Sequence, residues 1–281
     1  MRKMMKPYPL RLLPAIYWSR VERVFFAFGG IHMERFGKPA TTSQYCFDIV
    51  SNLLLDMDFG FQNGHRKDGE RYYLYFGPDS FEYYYPSSQD PSTPISRVIG
   101  VNWPRGSWIS NLYEAWHMYM YDHNTETDHG WCAEGVSAGV APQLNLIVWC
   151  PFGMQLEPRW LHVEVNLGDS LDKQTTGSGI WLRQLAQLYG KEKIMFEGRE
   201  EFKIGIQEAV DYDGRPLGVP AVGVQHALNL AKNYPERACR NADNIRFLIE
   251  ALAYKEHNKM DFSTGVARDM KDMPLAHEFI A

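Results

Sequence analysis

The chain has 281 residues, of which 45% are hydrophobic and 22% are charged, and its net charge is −5 at pH 7. This composition is typical of a globular protein with a sizeable core, and it provides no broad basic surface for nucleic acid. No run approaches the roughly 18 apolar residues of a membrane helix, so no membrane partner is expected. Prolines and arginines interrupt the apolar N-terminal segment, which argues against a signal peptide and predicts a cytoplasmic location.

Residues 1–140 are predicted to form an N-terminal subdomain in which helices alternate with aromatic strands. Apolar residues at helical spacing indicate the helices, and aromatic runs bounded by turn-forming residues indicate the strands. The predicted elements are helices over 7–26, 41–57 and 108–121 and strands over 71–76 and 81–85.

Residues 141–257 are predicted to form the core of a single domain that spans 1–281, and residues 258–281 a frayed tail. The predicted elements are strands over 144–149 and 160–165, a helix around Arg183 that ends near Gly190, turns at Gly214 and Gly218, and helices over 219–232 and 237–257. These elements predict an α+β, helix-rich fold with a small mixed sheet.

Three short motifs in this half resemble those of one enzyme family. They are IVWCP at 147–151, HALNLA at 226–231 and NADN at 241–244. Together they resemble the aspzincins, the fungal family of deuterolysin and lysine-specific metalloendopeptidases. The resemblance implies a zincin-like metallopeptidase fold. It also implies a structural role for Asn241 and Asp243, whose polar side chains are expected to cap a helix start.

Cys132 and Cys150 have two possible states. The resemblance implies a bridge between them, because secreted relatives often carry a cysteine before the strand that ends in Cys-Pro. Free buried thiols in a cytosolic protein are the alternative. The secreted relatives also make an extracellular location the alternative to the cytoplasmic one.

The helix that matches the family's HExxH helix lacks the metal ligands. In that motif two histidines bind zinc and the glutamate activates its water. Here Arg183 and Gln187 take the histidine positions, and Gln184 takes the glutamate position. Arginine has no lone pair to offer a metal, and a carboxamide cannot act as a general base. The expected protein is therefore a zinc-free, non-proteolytic descendant of the family, without metal or cofactor.

Arg183 is the central residue of the predicted site. It is expected to form an ion pair with Asp211 or Asp213, which are the candidates for the family's third ligand, or to bind a ligand's carboxylate or phenolate. The helix that carries His226 is expected to face the Arg183 helix across a central cleft. The candidate catalytic residues are Arg183, Gln184, Gln187, His226 and Asp211, and the candidate ligand-binding residues are Arg183, Asp213, Val222, Trp181 and Tyr189.

Two functions from different classes fit these residues. The first is a metal-independent enzyme for a small aromatic or polyketide-like molecule of fungal specialised metabolism, in which Arg183 binds an anionic oxygen. The alternative is a pseudoenzyme that binds a peptide or protein partner. A third hypothesis is an active metallopeptidase with a relocated metal, whose candidate ligands are His117, Asp122, His123, Asp128 and His129.

Overall fold

A computed structural model describes about half of the chain in detail. The described residues are 23–30, 53, 63, 72–77, 80–84, 107–110, 117–119, 132, 134–156, 164–190, 195–196, 199–200 and 204–270. The chain divides into two compact units, one of Arg71–Leu156 and one of Met1–Glu70 together with Glu157–Ala281. Residues 23–29 are helical, so the helix predicted over 7–26 extends three residues further than predicted. Most of the helices predicted over 7–26 and 41–57 lies outside the described residues.

The unit Arg71–Leu156 is built on strands. Its elements are β1 Tyr73–Phe76, β2 Glu82–Tyr84, β3 Ser107–Ser110, β4 His117–Tyr119, β5 Ala138–Ala141, a 3-10 helix Pro142–Leu144, β6 Leu146–Trp149 and the short helix α1 Pro151–Met154. One sheet has the order β1-β6-β5, with β1 parallel and β5 antiparallel to the central β6, so it is mixed as predicted. The other sheet, β2-β3-β4, is antiparallel.

Buried aromatic and aliphatic side chains hold the mixed sheet. The central strand β6 is the short apolar run predicted over 144–149, and Leu146 and Val148 are almost completely buried. Tyr75 of β1 packs on Phe81, with ring centroids 4.6 Å apart. The strands predicted at 71–76 and 81–85 are therefore confirmed. Cys132 and Cys150 form a disulfide, as the family resemblance implied.

The helix predicted over 108–121 is wrong in the residues that the structure describes. Trp108 and Ile109 lie in β3 and pair with Tyr119 and Met118 of β4 in an antiparallel ladder. Aromatic and β-branched residues are favoured in strands, where cross-strand neighbours pack their side chains. That pairing outweighs an apolar spacing that also suits a helix.

The other unit is dominated by helices. Its elements are a 3-10 helix Leu171–Gln174, α2 Gly177–Tyr189, β7 Met195–Phe196, β8 Arg199–Glu200, β9 Glu208–Val210, β10 Pro216–Pro220, α3 Val224–Asn233, α4 Pro235–Ala238, α5 Ala242–His257, β11 Met260–Asp261 and β12 Arg268–Asp269. The six strands described in this unit form three antiparallel pairs, β7 with β8, β9 with β10 and β11 with β12. The presence of both helices and small sheets confirms the α+β class.

Two boundaries in this unit differ from the prediction. The helix predicted over 219–232 begins only at Val224, because residues 216–220 form β10 and Gly223 adopts a left-handed φ of 90° before the helix. The frayed tail predicted from residue 258 is wrong for residues 258–270, where β11 pairs with β12 and Phe262 packs on Tyr254, and the rest of it lies outside the described residues. Of the strand predicted over 160–165, only 164 and 165 are described, and neither lies in a strand.

Helix α5 is the centre of the helical unit, and both α2 and α3 pack against it. It begins at Ala242, five residues later than the helix predicted over 237–257, because Pro235–Ala238 form the separate helix α4. Asn241 precedes α5 but does not cap it with its side chain. The Asn241 amide instead accepts from Gln207 N at 3.1 Å and donates to Ala221 O at 3.0 Å and to Asn244 Oδ1 at 2.7 Å. The predicted capping is wrong because the buried Asn241 side chain forms hydrogen bonds with the backbone of neighbouring segments and not with the amides of the first turn of α5.

Candidate functional site

The site lies between α2 and α5. Helix α2 starts where the Thr176 hydroxyl accepts a hydrogen bond from Gly179 N at 3.1 Å, which satisfies an otherwise free amide of the first turn. Gly179 and Arg183 are four residues apart, so they lie on one face of α2. That face meets three charged residues of α5, namely Asp243, Arg246 and Glu250.

Asp243 is fully buried and joins three elements. Its Oδ2 accepts a hydrogen bond from Gly223 N at 2.8 Å, just before α3. Its Oδ1 lies 3.2 Å from Arg183 Nε, in an ion pair that lacks the alignment of a hydrogen bond. The ion pair of Arg183 was predicted, but the predicted partner, Asp211 or Asp213, is wrong.

Arg246 is almost completely buried and binds two neighbours. Its Nε donates to Glu250 Oε2 at 3.0 Å, and its Nη2 donates to Thr175 Oγ1 at 2.9 Å. Its Nη1 lies 3.9 Å from Asp243 Oδ1. The guanidinium also lies over the Phe247 ring, 4.6 Å from its centroid. A buried cation is tolerated here because carboxylates and a hydroxyl receive its donors.

Glu250 is the most unusual group of the site. Its Oε2 binds Arg246, but its Oε1 has no hydrogen-bond partner among the described residues. This oxygen lies against Gly179, where a Cβ would collide with it. Burial raises the pKa of the Glu250 carboxyl from its ordinary 4.5 to about 7, although the neighbouring Arg246 guanidinium lowers it.

A count of charges supports this protonation. Asp172, Asp243 and Glu250 supply three carboxylates, whereas Arg183 and Arg246 supply two cations. Asp172 is exposed and accepts from Val224 N at 3.0 Å, so the positive end of α3 stabilises its charge. Asp243 has its ion pair and an amide donor. Glu250, which is fully buried with a single cation in contact among the described residues, is the carboxyl whose pKa is raised. We call these five residues the acid–arginine cluster.

Tyr254 continues the polar face of α5 by one turn. Burial and then the Glu250 carboxylate raise the pKa of its hydroxyl, which donates to Gln174 O at 3.2 Å. On α5 the polar residues recur at intervals of three to four positions, as one face of a helix requires. Arg246 and Glu250 were not predicted as site residues, although this polar series inside an otherwise apolar helix is a signal visible in the sequence.

The other residues predicted on α2 lie partly or wholly inside the unit. Gln184 is buried, and its Oε1 accepts from Gln187 Nε2 at 3.5 Å. Trp181 and Tyr189 are partly buried. Arg183 is the predicted residue that reaches the acid–arginine cluster, and 22% of its side chain is exposed.

The predicted residues outside α2 occupy two other places. Asp211 stabilises the turn between β9 and β10, where its Oδ1 accepts from Asp213 N at 2.9 Å and from Arg215 N at 2.8 Å. His226 Nδ1 is 3.0 Å from Val222 O, and because a carbonyl only accepts, this nitrogen carries the proton. Val222 lies just before Gly223, whose amide donates to Asp243 Oδ2. The Asp243 carboxylate therefore connects the start of α3 to Arg183. A cleft between α2 and α3 stays a prediction.

Within the part of the chain that the structure describes, no three His, Cys, Asp or Glu side chains are grouped as a metal site would require. Of the five ligands proposed for a relocated metal, only His117 falls in the described part, in β4. None of the described helices is long and apolar enough to cross a membrane. Comparison with protein families, curated proteins and solved structures finds no match to this chain.

Proposed function

We propose that the protein is a metal-independent enzyme in which Glu250 transfers a proton during a reaction on a small molecule. The proposal rests on a fully buried carboxyl, one oxygen of which has no hydrogen-bond partner among the described residues and whose pKa burial raises to about 7. A group with a pKa near the working pH is well suited to general acid–base catalysis. Perturbed carboxyls of this kind are concentrated at functional sites.

Each charged neighbour has a role in this proposal. Arg246 orients the Glu250 carboxyl through its hydrogen bond to Oε2. Arg183 is partly exposed and meets an anionic oxygen of the substrate, because its planar guanidinium offers several donors. A small aromatic or polyketide-like substrate, in a fungal biosynthetic role, stays a proposal that the aromatic content of 14% supports.

A first test needs no substrate. Glutamate labelled with ¹³C at the side-chain carboxyl reports protonation by NMR, and the resonance that disappears in Glu250→Gln belongs to Glu250. We expect this resonance to titrate with a midpoint near 7. Glu256→Gln is the matched control, since Glu256 is exposed on the same helix. A midpoint for Glu250 near 4.5 would contradict its proposed role in proton transfer.

The second test measures turnover. A panel of esters, glycosides and enolisable aromatic ketones is incubated with the wild type, Glu250→Gln and Glu256→Gln. Loss of a general acid–base group lowers a rate by about 100-fold or more, so we expect Glu250→Gln to lose turnover and the control to keep it. Equal turnover in wild type and Glu250→Gln would contradict the assignment.

We also propose descent from the aspzincins. The sequence motifs and the Cys132–Cys150 bridge that the resemblance implied support it.

Disulfides persist mainly in oxidising compartments, so the bridge favours the extracellular location over the cytoplasmic one. Secretion of the chain by an expression host, with the bridge detected by mass spectrometry, tests the location. The hypothesis of an active metallopeptidase with a relocated metal is tested by elemental analysis of the purified protein and by a casein assay with added zinc.

A binding module is the second candidate function. Leu217 and Val219 of β10 are each nearly half exposed, so this strand offers apolar side chains to an extended peptide. Selection from a peptide-display library against the wild type, compared with a Leu217→Ser/Val219→Ser variant, tests this function. Peptides that bind both proteins equally would argue against it.

A further inference from the structure

We propose that Thr175 is a positioning residue that fixes the Arg246 guanidinium between Glu250 and Asp243. This inference rests on the proposed function, because it concerns how the Glu250 carboxyl is kept in place. The Thr175 hydroxyl accepts from Arg246 Nη2 at 2.9 Å and donates to Asp172 O at 2.7 Å. Both of its hydrogen bonds are defined, so the hydroxyl cannot rotate away from the guanidinium without losing one of them.

The Arg246 guanidinium lies close to two carboxylates, those of Glu250 and Asp243. Its Nε binds Glu250 Oε2 at 3.0 Å, while its Nη1 lies 3.9 Å from Asp243 Oδ1. That Asp243 oxygen has no hydrogen-bond donor among the described residues, so it is an available acceptor. Thr175 holds the third side of the guanidinium plane. Removing that hydroxyl leaves Nη2 without its acceptor. Rotation of the guanidinium toward Asp243 then gives Nη1 and Nη2 a new acceptor, and the same rotation weakens the bond to Glu250.

The groups that face Glu250 make this rotation measurable. On α5 they are Arg246, Asp243 and Tyr254, and on the 3-10 helix Asp172. Helix α2 presents Gly179 to Glu250, and Arg183 on the same helix pairs with Asp243. Arg246 is thus the cation in contact with Glu250 in the described part of the unit. Its displacement favours the neutral carboxyl.

The test compares Thr175→Val, which keeps the shape and removes the hydroxyl, with Thr175→Ser, which keeps the hydroxyl. Thr264→Val is the matched control, because Thr264 is exposed and the chemical change is the same. The NMR midpoint of Glu250 and the thermal unfolding midpoint are measured for each protein. Loss of one charge-assisted contact corresponds to roughly one pH unit. We expect Thr175→Val to raise the Glu250 midpoint by that amount, and Thr175→Ser and Thr264→Val to leave it at the wild-type value.

The outcomes separate this inference from the proposed function. If Thr175→Val is less stable but its Glu250 midpoint stays near 7, Thr175 is only structural and the inference fails, while the proposed function stands. If the wild-type midpoint itself is near 4.5, the proposed function fails. Should Thr175→Val not fold, Thr175→Ala is measured in its place, and the same shift is required of it.

Discussion

Arg183 Nε and Asp243 Oδ1 lie 3.2 Å apart and join α2 to the buried first turn of α5. The other Asp243 oxygen receives Gly223 N, so one carboxylate connects the starts of α3 and α5 with the middle of α2. A charge in this position is stable only because its partners compensate for the lost hydration. The helical unit therefore depends on this carboxylate.

Replacing Asp243 by Asn tests that dependence. The amide has nearly the same shape, but it leaves Arg183 and Arg246 without their shared counter-charge. Breaking a buried ion pair on one side costs about 3–5 kcal/mol, and we expect a loss of that size in the free energy of unfolding measured by urea denaturation. Asp213→Asn, at an exposed turn position, is the control and should change stability by less than about 0.5 kcal/mol. A variant Asp243→Asn as stable as the control would contradict this account.

The sequence predicted the helices better than their charged contacts. Helix α2 was found through its match to the family's HExxH helix, with Gly190 at its end, and α5 through apolar residues at helical spacing after Asn241. Strand β6 was found because a short apolar run with turn formers at both sides suits a buried strand. The β3–β4 pair was missed, since its stability comes from cross-strand contacts that local spacing does not reveal.

The site itself was only partly predictable. Arg183 was identified, but its partner Asp243 was interpreted as a helix cap, because an acidic residue in a first turn usually has that role. Which carboxylate reaches Arg183 depends on how α2 packs against α5, and that packing joins residues 60 positions apart in the chain. Glu250 was missed for the same reason, since its altered pKa arises from burial that one helix cannot provide.

Glu250 should make stability fall as pH rises. In the unfolded chain its carboxyl loses the proton near pH 4.5, whereas the folded protein keeps it up to about pH 7. The folded state thus holds the extra proton between these values, so its stabilising effect is complete below pH 4.5 and disappears as pH rises through 7. The difference is on the order of 3 kcal/mol.

The measurement is urea denaturation at several pH values from 4 to 8 for the wild type, Glu250→Gln and Glu256→Gln. We expect the wild type to lose stability relative to Glu250→Gln across this window, because the amide has no proton to release. Glu256→Gln should follow the wild type, since Glu256 is exposed. Parallel pH profiles for the wild type and Glu250→Gln would show that Glu250 titrates at its ordinary pKa.

Gly179 provides the space into which Glu250 fits. A Cβ at this position would collide with Glu250 Oε1 and crowd the carboxyl carbon, and the hydrogen bond to Arg246 limits how far the side chain can withdraw. Overpacking of a buried site typically costs about 1–3 kcal/mol, and we expect Gly179→Ala to destabilise the protein by that amount despite alanine's better helix propensity. Gly205→Ala is the control, because an added Cβ there meets nothing within 4 Å. Equal stability of the two variants would show that Glu250 can move aside freely.

The disulfide should stabilise the unit Arg71–Leu156. Cys132 and Cys150 are separated by 18 positions, and closing a loop of about that length removes roughly 3 kcal/mol of conformational entropy from the unfolded chain. We expect a Cys132→Ala/Cys150→Ala variant to lose stability of this order in urea denaturation without reductant, and to become indifferent to added dithiothreitol. Cys239→Ala is the matched control, because Cys239 is a buried thiol that takes no part in this disulfide. It removes a sulfur but should keep the wild-type response to dithiothreitol, whereas loss of that response in Cys239→Ala would place the redox sensitivity in the other unit.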